Sequence, residues 1–252
     1  MTERELTAGT QDGEMTTFIV HPDTGGPSAV AIVYMDGIGY REQVKENARR
    51  FAAGGYYCIA PDLFYRAGKG IVFDMREMGS EAVRDRMMSI VQSVTPDNLV
   101  ADTHVLLSIA RDDPAAAYGA TVCVGYCLGA RAALHAASAL HDQVAAAALI
   151  HPGALVTDAP DSPHRDLAGV RGELYVAFAE IDRSATAENV DQFRAEMESC
   201  GVRGTVERIL GAAHGFAMAD LPVYQAEAAE HHFEATLELW RRNLPARPAV
   251  PA

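Results

Sequence analysis

Short, almost wholly apolar runs alternate along this chain with longer stretches whose apolar positions recur every three or four residues. The runs read as strands over residues 29–35, 56–60, 120–125, 144–150, 173–179 and 204–210. Runs this poor in polar groups fit parallel strands covered on both faces. The stretches between them read as helices over 41–53, 97–111, 128–140, 187–199 and 226–242. Gly54-Gly55 stops the first, and Thr95 or Asp97 caps the second. Ahead of residue 29 the pattern suggests an edge hairpin that turns at Gln11-Asp12-Gly13. Alternation of this kind, without an internal repeat or a linker, predicts one mostly parallel sheet with helices on both faces. It is expected to form a single domain over 1–244, followed by a frayed Pro/Ala-rich tail, 245–252.

One segment breaks the rhythm. Residues 63–96 are long for a strand-to-helix connection and carry Met75, Met78, Met87 and Met88 among several arginines. They read as a small helical excursion that either covers part of a site or only packs on the body.

Composition narrows the function. The 252 residues are 49% hydrophobic and 22% charged, enough to bury a core without disulfides or metals. The net charge of −13 argues against nucleic acid, which needs clustered Lys and Arg, and against anionic membranes. It leaves an anionic small molecule open, because a few local arginines can outweigh a diffuse field. No apolar run approaches a membrane span, and the polar first fourteen residues do not read as a signal peptide. A cytoplasmic protein is the expectation. Of the four cysteines, Cys58 and Cys123 lie in apolar strands, Cys200 ends a helix, and Cys127 alone lies in a chemical motif.

That motif is Gly125-Tyr126-Cys127-Leu128-Gly129, between a strand and a helix. It is the nucleophile elbow of the α/β-hydrolase fold with cysteine in place of serine. The tight turn leaves no room for side chains at the two glycines. It lifts the nucleophile above the sheet, at a helix N-terminus that favours a thiolate. The fold then calls for an acid and a histidine further along, each beyond a strand end. Asp182, in Phe178-Ala179-Glu180-Ile181-Asp182, and His214, in Ala213-His214-Gly215-Phe216, stand there. The expected chemistry is attack by Cys127 with His214 as base and Asp182 as its orienter. The N–H groups of Leu128 and of Gly37 or Ile38 are expected to hold the oxyanion. Asp36 ends the first buried strand beside them and either modulates the nucleophile or caps its own loop. His151, at another strand end, is expected to line the pocket, as are Tyr126 and Phe216.

These residues resemble the dienelactone hydrolase family over about 17–244. The most specific pieces are Gly55-Tyr56-Tyr57 leading to Pro61-Asp62-Leu63-Phe64-Tyr65-Arg66, the elbow, residues 156–164, and the segments around Asp182 and His214. The resemblance implies a cytosolic hydrolase, monomeric or weakly associating, with a Cys-His-Asp triad and no cofactor. It implies a small-molecule substrate, a cyclic enol ester carrying a carboxylate. Arg66, Arg76, Arg84 and Arg183 are the candidates to grip that carboxylate. Where family members carry a glutamate that holds the resting cysteine as a neutral thiol, this chain has the shorter Asp36. The rival readings are a broad carboxylesterase or thioesterase, a catalytically silent ligand-binding hydrolase fold, and a flavodoxin-like cofactor binder. The last lacks a Gly-rich phosphate loop at the first helix.

Overall fold

A computed structural model describes residues 1–23 and 26–246. It holds one eight-stranded sheet in the order β1-β2-β4-β3-β5-β6-β7-β8. The strands are β1 (Thr2–Thr10), β2 (Gly13–His21), β3 (Ser28–Tyr34), β4 (Tyr57–Pro61), β5 (Ala116–Tyr126), β6 (Val144–Ile150), β7 (Glu173–Ile181) and β8 (Gly204–Ala213). β1 and β2 form the antiparallel edge hairpin, and β2 joins β4 antiparallel. From β4 to β8 every pairing is parallel. All C-terminal ends of those six strands therefore open on one side, where ligand sites form in sheets of this kind.

The helices are α1 (Glu42–Ala53), α2 (Glu81–Ser93), α3 (Pro96–Asp112), α4 (Leu128–Ala139), α5 (Ala187–Ser199) and α6 (Ala226–Asn243). Apolar strands need cover on both faces, and the helices supply it. α1 and α6 share one face, joined where Phe51 meets Phe233 and Trp240 at centroid distances of 4.8 and 4.6 Å. α3 and α4 lie against the other, and α3 is tied to β3 by the Tyr34 hydroxyl on Thr103 Oγ1 at 2.8 Å. Side chains such as Trp240, Phe51 and Phe178 are fully buried, each stabilising by roughly 1.5–3 kcal/mol. Among the described residues no helix is long and apolar enough to cross a membrane.

The excursion at 63–96 contains a short 3-10 helix, Met75–Glu77, and then α2. No residue of α2 is fully buried. Met75 and Met88 are exposed, whereas Met78 and Met87 pack against the body. The loop expected over 151–169 ends in a 3-10 helix, Pro163–Gly169. Of the tail expected at 245–252, residues 247–252 lie outside the described residues.

Candidate active site

Cys127 stands between β5 and α4 with φ 52° and ψ −108°, a conformation that costs a non-glycine residue about 1–3 kcal/mol. Its surroundings hold it there. The Cys127 N–H donates to the Ile150 carbonyl at 3.0 Å. A Cβ on Gly125 would overlap the Gly129 carbonyl, and one on Gly129 would lie 2.5 Å from the carbonyl oxygens of both Tyr34 and Met35. Both glycines are thus required by close backbone approach, and the elbow is wedged between β3 and the start of α4.

His214 follows β8, and its N–H donates to the Ile181 carbonyl at 3.1 Å. Its Nδ1 meets Asp182 Oδ2 at 2.5 Å. The other Asp182 oxygen accepts from the Ser184 N–H at 2.8 Å and the Ser184 hydroxyl at 2.7 Å. With Nδ1 committed, Nε2 remains for Cys127, whose Sγ lies with His214 Cε1 around the place a Gly153 Cβ would take, at 3.7 and 3.6 Å. Burial alone would depress the His214 pKa. The charge of nearby Cys127, with the Asp182 carboxylate on Nδ1, outweighs burial and holds it well above the usual imidazole range. Burial likewise opposes ionisation of Asp182, but His214 and Ser184 keep its pKa below the ordinary carboxylate value. The elements thus bring Cys127 and the hydrogen-bonded His214–Asp182 pair together at the C-terminal ends of β5, β8 and β7.

Opposite these residues runs the loop after β6, where His151 and Ala154 both take positive φ, 36° and 51°. It presents Gly153 to the site. A Cβ there would lie 3.6 Å from His214 Cε1, 3.6 Å from Ser184 Oγ and 3.7 Å from Cys127 Sγ. A single methyl group would fit there in ordinary van der Waals contact.

The model of the dienelactone hydrolase family matches residues 15–244. The chain belongs to the dienelactone hydrolase family. It is therefore a carboxylic ester hydrolase with the α/β-hydrolase fold. A relative from Methylorubrum extorquens, named "Putative carboxymethylenebutenolidase", is 25% identical over 92% of this chain and 78% of its own. Two solved structures share the fold. The "Putative Dienelactone Hydrolase" of Klebsiella pneumoniae superposes with a TM-score of 0.83 at 20% identity, covering 96% of this chain and 98% of its own. A dienelactone hydrolase-like promiscuous phosphotriesterase from metagenomic libraries reaches 0.79 at 19%, with the same coverage.

Within this dienelactone hydrolase framework several expected site residues take other places. Asp36 is not a free carboxylate available to the thiol. Arg41 holds it in a fork at 2.6 and 3.0 Å, and the Ile38 N–H donates to its Oδ1 at 3.0 Å. Arg41 also holds Asp220, at 2.6 and 3.0 Å. Asp36 therefore caps its own loop. The same bond removes Ile38 from the oxyanion donors and leaves Gly37 with Leu128, the first residue of α4, as the candidates. Tyr126, His151 and Phe216 were expected to touch substrate, but all three are buried at 0–1% exposure. They pack beneath the site instead, with the His151 ring 5.2 Å from that of His214 and 5.4 Å from that of Phe216. Both His151 ring nitrogens lack a hydrogen-bond partner, and burial holds its pKa well below the usual value.

The candidate arginines fare no better. Arg66 is spent on Asp102 at 2.7 and 2.9 Å and on Asp12 at 2.8 Å. Arg76 pairs with Asp74 in solvent. Arg84 is exposed and donates to the Met78 carbonyl at 2.7 Å. Arg183 is exposed beside Asp182. Sequence reasoning missed Ser184 and Gly153. Asp182-Arg183-Ser184 has the spacing of an Asx turn, which was a usable signal for Ser184. Among the described residues no cluster of His, Cys, Asp and Glu is arranged to hold a metal.

Proposed function

We propose that this hydrolase opens an activated ester, foremost a lactone, through a thioester acyl-enzyme on Cys127. The observation that carries this reading is the convergence of Cys127 with the hydrogen-bonded His214–Asp182 pair at neighbouring strand ends. His214 takes the thiol proton, and the Asp182 carboxylate fixes its tautomer and favours the imidazolium. The sulfur adds to the substrate carbonyl, and the oxyanion settles on the N–H groups of Leu128 and Gly37. One such donor is typically worth about 3 kcal/mol. Collapse breaks the C–O bond, and the imidazolium gives its proton to the departing oxygen, which in a lactone stays tethered to the acyl group. Water, deprotonated by His214, then attacks the thioester, and the thiol is restored. A thiolate also leaves readily from the tetrahedral intermediate, so activated enol and aryl esters suit this site better than amides.

Intact-mass analysis of enzyme quenched during turnover of an aryl ester tests the reading. An acyl adduct on Cys127 is expected, and Cys127→Ala should lose at least a thousandfold in kcat/KM. Near-native esterase activity in Cys127→Ala would end the assignment. A broad carboxylesterase or thioesterase is the second reading, favoured because Arg66 and Arg76 are spent on Asp102 and Asp74 rather than left for a substrate carboxylate. A panel of lactones, aryl esters and thioesters separates the two by their ranking.

A further inference from the structure

Arg41 stands at the N-cap of α1, a place that does not suit its chemistry. Ser, Thr, Asp and Asn favour that position because their oxygens accept a first-turn N–H, and the positive end of the helix dipole repels a cation. The Arg41 side chain caps nothing there. It turns back from the helix with only 10% of its surface exposed. In that place it makes five hydrogen bonds, one for each N–H of a guanidinium. Nε and Nη2 hold Asp220 at 2.6 and 3.0 Å. Nη1 and Nη2 hold Asp36 at 2.6 and 3.0 Å, and Nη1 also donates to the Gly39 carbonyl at 3.1 Å. A lysine ammonium, with three donors on a point charge, cannot replace this fork.

These bonds join two loops that flank the nucleophile. Asp36, Gly37 and Gly39 belong to the loop after β3, and Asp220 to the loop after β8 that begins with His214. Among the described residues no other hydrogen bond links residues 36–40 to residues 214–225. The two loops are held unequally. The second closes on itself in successive turns, with N–H bonds from Phe216 to Ala213, Met218 to Gly215, Leu221 to Met218 and Gln225 to Phe216. It also buries Phe216, Ala217 and Met218. His214 is fixed separately, by Asp182 and by the Ile181 carbonyl. The first loop has its own Asp36 cap, the Tyr40 hydroxyl on Glu5, and the Phe73 N–H on the Ile38 carbonyl at 2.9 Å. Phe73 comes from the excursion whose helix α2 buries no residue fully. Arg41 thus fastens the more lightly held loop to the firm one.

We propose that Arg41 is a positioning residue: by bridging Asp36 and Asp220 it holds the Gly37 N–H in register with Cys127 and the Leu128 N–H, so that an oxyanion formed at the substrate carbonyl meets both donors at once. This deepens the hydrolase reading and rests on it for the oxyanion. Arg41 acts through the loop it holds and not by contact with the reacting atoms. An oxyanion donor has its full effect only when it is in place before the charge develops, and a misplacement of about 1 Å can cost roughly a hundredfold in rate.

The bond to Asp220 can be broken without touching the Asp36 cap. Asp220→Asn keeps the shape and removes the charge. Two reactions of the same thiol then separate, because ester cleavage forms an oxyanion and alkylation by iodoacetamide does not. In this variant kcat/KM for 4-nitrophenyl acetate, per site titrated with iodoacetamide, is expected to fall about tenfold or more. The alkylation rate and its pH profile are expected to stay within about twofold of native, since neither uses the oxyanion donors. Asp220→Glu, which keeps the carboxylate, should recover most of the loss, and Arg41→Lys should lose at least as much as Asp220→Asn. Parallel losses in cleavage and alkylation would mean that Arg41 only supports the fold or the base, and unchanged cleavage would mean that the bridge has no part in the reaction. Either result overturns the role. Should the native enzyme cleave no ester, the hydrolase reading falls by itself, and hydrogen exchange of the Ile38 and Gly39 amides decides the bridge. Exchange about tenfold faster in Asp220→Asn keeps it as what orders the loop, and equal exchange removes it.

Discussion

At the scale of single residues, Gly153 sets the room above the nucleophile. A methyl group there would make ordinary contacts at 3.6–3.7 Å with His214, Ser184 and Cys127, so the fold tolerates it. Gly153→Ala is expected to change stability by no more than about 0.5 kcal/mol, yet to occupy volume needed by the acyl group. Its kcat/KM should fall roughly tenfold more for an aryl butyrate than for an aryl acetate, an estimate that treats each lost contact as partial overpacking. The same loss at every acyl length would place the acyl group elsewhere. The placing of Cys127, Asp182 and His214 at neighbouring strand ends was legible because a strand-turn-helix motif and a chain order pointed to those positions together. Tyr126 was misread because neighbours along a strand face opposite sides of the sheet, so the residue before an exposed nucleophile is turned into the core. The commitment of Arg66 depended on Asp12 and Asp102, which are 54 and 36 residues away in sequence. No local pattern carries such pairings.

At the scale of elements, the sequence-based bounds of β6 and α5 coincide with the structure, because both are framed by clear turn or capping residues. Thr186 and Asn189 form a reciprocal cap at the start of α5. β7 and β8 run further than their apolar runs suggest. Past Ala179 the pairing shifts register and resumes at Ile181 opposite Ala213, while the Gly211 N–H is satisfied by the Glu180 side chain at 2.7 Å. Polar and glycine residues there read as loop, yet this irregular continuation is what carries the chain to Asp182 and His214. α2 is the opposite case, with an amphipathic pattern but little to rest on. Val91 approaches the loop after β3, 3.3 Å from where a Gly37 Cβ would stand, and no α2 side chain is fully buried. Amide hydrogens of Glu81–Ser93 are accordingly expected to exchange at least a hundredfold faster than those of α4, whose residues are mostly buried. Matching protection in the two helices would show that α2 opens only with the whole domain.

At the scale of the whole molecule, two imidazoles buried without partners among the described residues, His151 and His232, make the fold sensitive to acid. Burial depresses both, His151 well below 6.5 and His232 to about 3. Unfolded chains take up these protons near pH 6.5 and the native state does not, so stability falls as pH drops below that value, until the folded pKa is reached. His214 has a raised pKa and is protonated in both states below about pH 5.5, so it adds no further slope there. Between pH 6.5 and 4.5 each buried imidazole should cost about 2 kcal/mol. Urea unfolding of His232→Phe, which keeps an aromatic ring among Tyr126, Phe216 and Phe233, should show a loss smaller by about that amount. Parallel curves for variant and native protein would refute this source of acid lability. The sheet order has a consequence of another kind, for the protein as it is made. From β5 onward each strand joins beside its predecessor, in the order β5-β6-β7-β8. A chain leaving the ribosome therefore extends its sheet one strand at a time, and the thiol emerges first, the carboxylate next and the imidazole last. Until β8 docks, Cys127 has no His214 beside it, so the growing polypeptide carries its thiol through synthesis without the neighbouring imidazole.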